Sequence, residues 1–287
     1  MRRTLKKQMA SFDDPADVRS SQSLPGAKLP QDVTVTPADA GGVSAEWLTP
    51  EAAGNDTALL YLHGGGYVFG GLDSHRDIAA RLASGAGIRV LLIDYRLAPE
   101  HRFPGAVEDA TAAYRWLLDG GQAPDRLVVA GDSAGGGLSL ALMVQLKNLG
   151  LPLPKAAVLM SPWADLANSG ESVARHADAD AMLSPEALSK FASLYLDDQN
   201  PEDPLASPLY ADLSGLPPTQ VLVGSEEVLL SDSERLVEKI RAAGGSVELA
   251  VWPKMPHVFP VLAGIIPEGR TAIENMSAFI RANLGTA

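Results

Sequence analysis

From Thr57 to the C-terminus, short apolar runs alternate with helix-length amphipathic stretches. Thr57–Leu62, Arg89–Asp94, Arg126–Ala130, Ala156–Met160, Gln220–Gly224 and Val247–Trp252 are each five or six residues long and largely apolar, the pattern of strands buried on both faces. Between and after them, Val107, Ala110, Tyr114, Leu117 and Leu118, and then Ile273, Met276 and Ile280, recur at helical spacing and predict core-facing stripes. Strand and helix in alternation predict an α/β fold, a mostly parallel central sheet with helices on both faces. Two stretches break the rhythm: residues 1 to about 30, rich in charge and turn formers, and about 165–208, which carries a helix-like segment over 185–196. Additions to such a sheet gather over the carboxyl ends of the strands, where ligands bind, so both are read as a small helical cap on one domain spanning 1–287.

Charge narrows the partners. With 23 Lys and Arg against 35 Asp and Glu, the net charge is −12, which repels phosphate backbones and anionic lipid headgroups. Neither nucleic acid nor a membrane surface is expected as partner; a small, uncharged molecule is. The absence of cysteine removes disulfides, thiolate metal sites and cysteine nucleophiles, and fits a reducing compartment. Arg2, Arg3, Lys6 and Lys7 are not followed by the apolar stretch of a signal peptide, so the expected location is cytoplasmic. The most apolar stretch, Leu127 to Leu146, is broken by Asp132, Ser133 and glycines; it reads as strand, turn and helix rather than a membrane span.

Within that stretch, Gly131-Asp132-Ser133-Ala134-Gly135 sits between a predicted strand and a predicted helix. A G-x-S-x-G turn there projects its serine above the sheet, because only glycine two residues to either side lets strand and helix approach so closely. Ser133 is the candidate nucleophile; the competing reading makes it a helix N-cap. Asp132 is expected to anchor the turn through hydrogen bonds.

His63-Gly64-Gly65-Gly66 directly follows another strand. Acyl transfer through a tetrahedral oxyanion needs backbone amides aimed at one point, and consecutive glycines let a loop turn its N–H groups inward. The motif is expected by chance on the order of 0.004 times in this composition, so it is specific. Gly64 and Gly65 are the candidate donors, with Ala134 as the third.

Two histidines follow Ser133. His176 lies in the expected cap beside Arg175 and Asp178, where a solvated surface role is the simpler reading; His257 follows the strand Val247–Trp252 at the end of the sheet. His257 is therefore the candidate general base. The acid that orients it should follow Gln220–Gly224, where Glu226, Glu227 and, further on, Asp232 are available. Local pattern does not choose between the adjacent glutamates.

Taken together, His63–Tyr67, Asp94–His101, Gly131–Gly136, Ser161–Trp163, Gly224–Leu229 and Pro256-His257 resemble the bacterial hormone-sensitive-lipase-like carboxylesterases, an α/β-hydrolase family, over nearly the whole chain. The resemblance implies a serine carboxylesterase of small, short-acyl, uncharged esters that needs no cofactor and no metal. It also implies a cap built from N-terminal and mid-chain segments, an oxyanion hole of Gly64, Gly65 and Ala134, and a homodimer through the sheet edge or the C-terminal helix. Counted back from His257, the family's acid falls on Glu227, where many relatives carry aspartate, with Glu226 as the fallback. Lactone hydrolysis on the same machinery and a catalytically silent ligand-binding protein are the alternative functions.

Other polar clusters receive structural readings. Arg96 and Glu100 are expected to pair and fix their loop, and Asp73 with His75 falls short of a metal site. Met182, Leu183, Phe191, Leu194 and Tyr195 could line an acyl pocket or form an ordinary apolar cap face. No G-x-G-x-x-G or phosphate-binding G-x-x-x-x-G-K-[ST] occurs.

Overall fold

The computed structural model describes residues 29–286 together with Pro15 and Arg19. Eight strands form one sheet: β1 (Val33–Asp39), β2 (Ser44–Pro50), β3 (Ala58–Leu62), β4 (Arg89–Ile93), β5 (Leu127–Asp132), β6 (Ala156–Met160), β7 (Thr219–Gly224) and β8 (Val247–Trp252). Their order is β1-β2-β4-β3-β5-β6-β7-β8, and β3 to β8 are mutually parallel. The six strands predicted from apolar runs are all present, within one or two residues at each end.

The hairpin β1–β2 is an addition. It joins the sheet antiparallel to β4 and extends it beyond the parallel core. β1 alternates half-buried with exposed positions and β2 mixes buried with half-buried ones, so neither forms a fully buried run, and β1 carries Pro37, which an edge strand tolerates. The turn signal is present in Gly41 and Gly42, both at positive φ.

Helices α1 (Leu72–Ala86) and α7 (Pro267–Leu284) cover one face of the sheet, and α2 (Gly105–Asp119) and α3 (Ala134–Asn148) cover the other. Val107, Ala110, Tyr114 and Leu117 face the core as their spacing predicts, as do Ile273, Met276 and Ile280. Leu118 is only partly buried. Helix α3 is buried nearly all round, because it starts at the centre of the sheet and is covered on its outer side as well. Helix α6 (Leu230–Ala242) packs on β7 and β8. No helix among the described residues is long and apolar enough to cross a membrane.

The segment over 165–208 holds α4 (Glu171–Arg175) and α5 (Pro185–Leu196). Ser184 caps α5 by accepting from the Ala187 amide, and Pro185 occupies its first position, where a missing N–H costs nothing. Phe191 packs edge-on against Phe69, and Tyr195 stacks on Tyr67 with centroids 3.9 Å apart. These contacts seat α5 over the loop that follows β3. The cap contribution expected from residues 1 to about 30 lies outside the described residues, apart from Pro15, Arg19, Leu29 and Pro30.

Candidate active site

The carboxyl ends of β3, β5, β6, β7 and β8 bring the candidate residues to one place. Ser133 sits between β5 and α3 at φ 54°, ψ −121°, a conformation that L-residues seldom adopt and that a packed environment must hold. The surroundings do hold it: the Ser133 amide donates to Met160 O, and its carbonyl accepts from the amides of Gly137 and Trp163. Glycine at 135 is required by contact, since a Cβ there would lie 2.0 Å from Leu62 O. Although Ser133 occupies the N-cap position of α3, its side chain caps nothing. Its Oγ lies 2.9 Å from His257 Nε2.

His257 Nδ1 lies 2.8 Å from Glu227 Oε2. Both side chains are almost completely enclosed, with Glu227 at 0% and His257 at 4% exposure. Glu226, its neighbour, is half-buried and stays outside this chain of contacts. Asp232, the third acidic candidate, is buried elsewhere: its Oδ2 accepts from the Ala164 and Asp165 amides. Ser133, His257 and Glu227 are thus connected in series by hydrogen bonds, and Glu226 and Asp232 are not. Burial of His257 disfavours its charged form, but the Glu227 hydrogen bond and charge, with Asp180 and Asp132 behind them, outweigh that and raise its pKa above 6.5.

The glycine loop after β3 requires one correction. The Gly64 amide, expected to face the oxyanion, donates instead to Asp132 Oδ1 at 3.0 Å and approaches His75 Nε2 at 3.3 Å. A Cβ on Gly64 would lie 2.1 Å from Asp132 Oδ2, so the loop presses directly on this carboxylate. Local pattern counts glycines but does not show which amide faces which way. Among the described residues, the amides of Gly65, Gly66 and Ala134 donate to no backbone or side-chain acceptor. His63 supplies the orientation: its Nδ1 lies 2.7 Å from Gly64 O, and across a trans peptide the Gly65 N–H points the opposite way from that carbonyl. Burial first, then the neighbouring His75, depresses the His63 pKa to about 3, so its ring stays neutral. It stacks on Tyr95 with centroids 4.1 Å apart, and the Tyr95 hydroxyl donates to His63 O.

Asp132 anchors the turn, as its position suggested. Besides the Gly64 amide it accepts the Tyr61 hydroxyl at 2.8 Å and lies 3.4 Å from His75 Nε2. Burial pushes its pKa up, but its interactions with His75 and with the Tyr61 hydroxyl prevail and hold it below the usual carboxylate range. His75 therefore faces inward, while Asp73 is exposed and pairs with Arg76.

Two further expectations change. His176 is half-buried, and its Nδ1 lies 3.0 Å from the Glu227 carbonyl, so it braces the backbone of the acid and is not a solvated surface residue. Arg96 does not pair with Glu100. It pairs with Asp109 and Glu108 across the start of α2, and Glu100 pairs with Arg19, whose guanidinium also donates to the carbonyls of Val68 and Ala98. Sequence separation hid that contact, which lies 81 residues away along the chain.

Ser161 opens the Ser161–Trp163 motif, and the sequence alone assigns it no role. Its Oγ donates to Glu227 Oε1 at 2.8 Å and accepts from the Val258 amide at 3.1 Å. A serine straight after a strand, before proline, was the only signal available.

Asp232 has a measurable consequence of its own. Burial, then repulsion from Asp165, pushes its pKa up to about 8 against the pull of two amides and Arg235. Between an unfolded value of 3.8 and that level, the folded state keeps a proton that the unfolded chain has released, so stability falls as pH rises through the window. Asparagine keeps an acceptor for both amides and has no proton to lose. Relative to wild type, Asp232→Asn is expected to gain at least about 1 kcal/mol between pH 5 and pH 8.5. Thermal unfolding at the two pH values measures this; an identical offset at both would refute it.

Comparison with known proteins identifies the family. A family model described as the alpha/beta hydrolase fold matches residues 59–261. An acetyl-hydrolase of Streptomyces hygroscopicus is 46% identical over 245 residues, 85% of this chain and 82% of that protein. An esterase of Acinetobacter venetianus is 38% identical over 254 residues, 88% of this chain and 84% of its own. The crystal structure of an esterase from the bacterial hormone-sensitive lipase family superposes with a TM-score of 0.94 at 43% identity, covering 99% of this chain and 98% of that one. The chain belongs to the alpha/beta hydrolase family and, within it, to the bacterial hormone-sensitive-lipase-like ester hydrolases.

Proposed function

We propose that the protein is a serine carboxylesterase of small, uncharged esters and that Ser133, His257 and Glu227 are its catalytic triad. The observation that carries this reading is the unbroken contact series from Ser133 Oγ through the His257 ring to the buried Glu227 carboxylate. His257 Nε2 takes the Ser133 proton as Oγ attacks the ester carbonyl, and Glu227 steadies the imidazolium that forms. The oxyanion of the tetrahedral intermediate is received by the amides of Gly65, Gly66 and Ala134. His257 then protonates the leaving alcohol, an acyl group stays on Ser133, and water activated by the same ring releases the acid.

Residues of the 165–208 segment act in this reading as the cap. The side chains of α5 fill the space beside the glycine loop: a Cβ on Gly66 would lie 2.8 Å from the Phe191 ring, and Tyr67 and Tyr195 are stacked and buried. That aromatic wall supports a preference for short acyl groups. A cysteine-free chain suits the reducing cytoplasm.

Hydrolysis of p-nitrophenyl esters from acetate to palmitate tests the substrate class. The expected profile peaks at acyl chains of about two to six carbons and falls at least about tenfold by the longest esters, which the filled space beside Gly66 excludes. Highest kcat/KM on palmitate would sink the short-acyl assignment, and a folded enzyme without activity on any ester would favour a binding role. Treatment with a sulfonyl fluoride should leave one adduct, mapped by mass spectrometry to Ser133.

A further inference from the structure

We propose that Ser161 is a positioning residue for the reaction, the group that fixes the carboxylate of Glu227 against His257. The inference rests on the triad reading above and adds to it a side chain that touches no reacting atom.

Ser161 ends the β6 ladder. Its amide still donates to Leu222 O of β7, and the backbone then turns at φ 47°, a left-handed conformation unfavourable for a serine. That turn aims the hydroxyl between two loops. One follows β7 and carries Glu227; the other follows β8 and carries His257. The single Oγ donates to Glu227 Oε1 at 2.8 Å and accepts from the amide of Val258, the residue after His257, at 3.1 Å. Val258 is itself at φ 49°, so this loop also holds an unfavourable turn at the contact. Ser161 is 1% exposed, and no bulk water reaches it to compete for either bond.

The chemistry of the acid explains why such a group is needed. Glutamate has one more rotatable bond than aspartate, and the catalytic contact uses only Oε2. Left free, the carboxylate would turn about its last torsion and lose alignment with Nδ1. Two donors on Oε1 prevent this: the Gly224 amide from the acid's own strand and the Ser161 hydroxyl from the neighbouring one. Only the second also reaches the histidine loop. It therefore sets the position of acid and base relative to each other.

Ser161→Gly is the informative variant, since glycine adopts φ 47° without strain and what is lost is one methylene and the hydroxyl it carries. The expected result is a melting temperature within a few degrees of wild type, with kcat on p-nitrophenyl acetate about 10- to 100-fold lower and KM within about twofold, the usual loss when a supporting hydrogen bond to a functional group is removed. In a Glu227→Gln background the same substitution should change kcat by less than about twofold, because the contact that Ser161 holds in place, a carboxylate oxygen on His257 Nδ1–H, is already gone. Should Ser161→Gly fold poorly, Ser161→Ala replaces it in the same cycle. Wild-type kcat in the single variant, or an equal loss in both backgrounds, would overturn the proposal. Ser133→Ala assayed alongside separates the two ideas: activity there defeats the triad itself, whereas inactive Ser133→Ala with fully active Ser161→Gly defeats only the role of Ser161.

Discussion

Ser133→Ala is expected to reduce kcat on p-nitrophenyl acetate by about 10⁶-fold, to a residual rate supplied by the oxyanion amides and substrate binding alone. The size follows from what the substitution removes. Without Oγ no acyl-enzyme forms, and His257 has no proton to accept from the protein. What it leaves is also predictable. The positive φ of residue 133 is held by backbone bonds to Met160, Gly137 and Trp163 that alanine retains, so the melting temperature should move by only a few degrees. A folded Ser133→Ala protein that turns over esters at more than about a thousandth of the wild-type rate would mean that another group performs the attack. Stoichiometric release of p-nitrophenol ahead of steady state, present in wild type and absent in the variant, is the accompanying kinetic signature.

Glu227→Gln should cost about 10⁴-fold in kcat, and the reason lies in the donors around the carboxylate. On the Oε1 side stands the Gly224 amide, which can only donate. A glutamine must therefore present its carbonyl oxygen there and its NH2 to His257 Nδ1. That forces the imidazole into the tautomer carrying its proton on Nε2, facing Ser133, where it cannot act as a base. The pH dependence should change as well. In wild type the Glu227 contact keeps the His257 pKa above 6.5, and because the base must be neutral, kcat/KM should fall on the acid side with its inflection above that value. Removal of the charge should move the inflection downward. Near-wild-type kcat in a folded Glu227→Gln protein, or an unmoved acid limb, would transfer the acid's role elsewhere, with Glu226 the first residue to test.

Parts of this arrangement are legible in the chain because they depend on local pattern. The parallel strands appear as apolar runs since both their faces are buried. The candidate serine and histidine stand out because the turn geometry needs glycines at fixed offsets and because the order along the sheet leaves His257 at its end. Other parts depend on contacts that distant segments create. Glu226 and Glu227 are chemically identical neighbours, and only the path of the loop after β7 decides which one is enclosed. The direction of the Gly64 amide is set by Asp132, 68 residues further on, and glycine's freedom means that nothing local forecasts it. The β1–β2 hairpin escapes notice because its half-exposed alternation, interrupted by Pro37, carries a weaker signal than a buried run. Ser161 is hidden for a different reason: a serine hydroxyl has no signature until its neighbours are known.

The same Asp132 carboxylate bears on how this machinery can be recombined. It is the last residue of β5, directly before the proposed nucleophile, yet it holds the amide of Gly64 and the hydroxyl of Tyr61 on the loop and strand that carry the proposed oxyanion donors. Nucleophile turn and glycine loop are therefore one mechanical part divided between two distant stretches of sequence. A chimera that imports either stretch from a more remote hydrolase inherits half of a matched joint. Segment exchange across such enzymes should succeed only when residues 61–66 and 131–135 travel together.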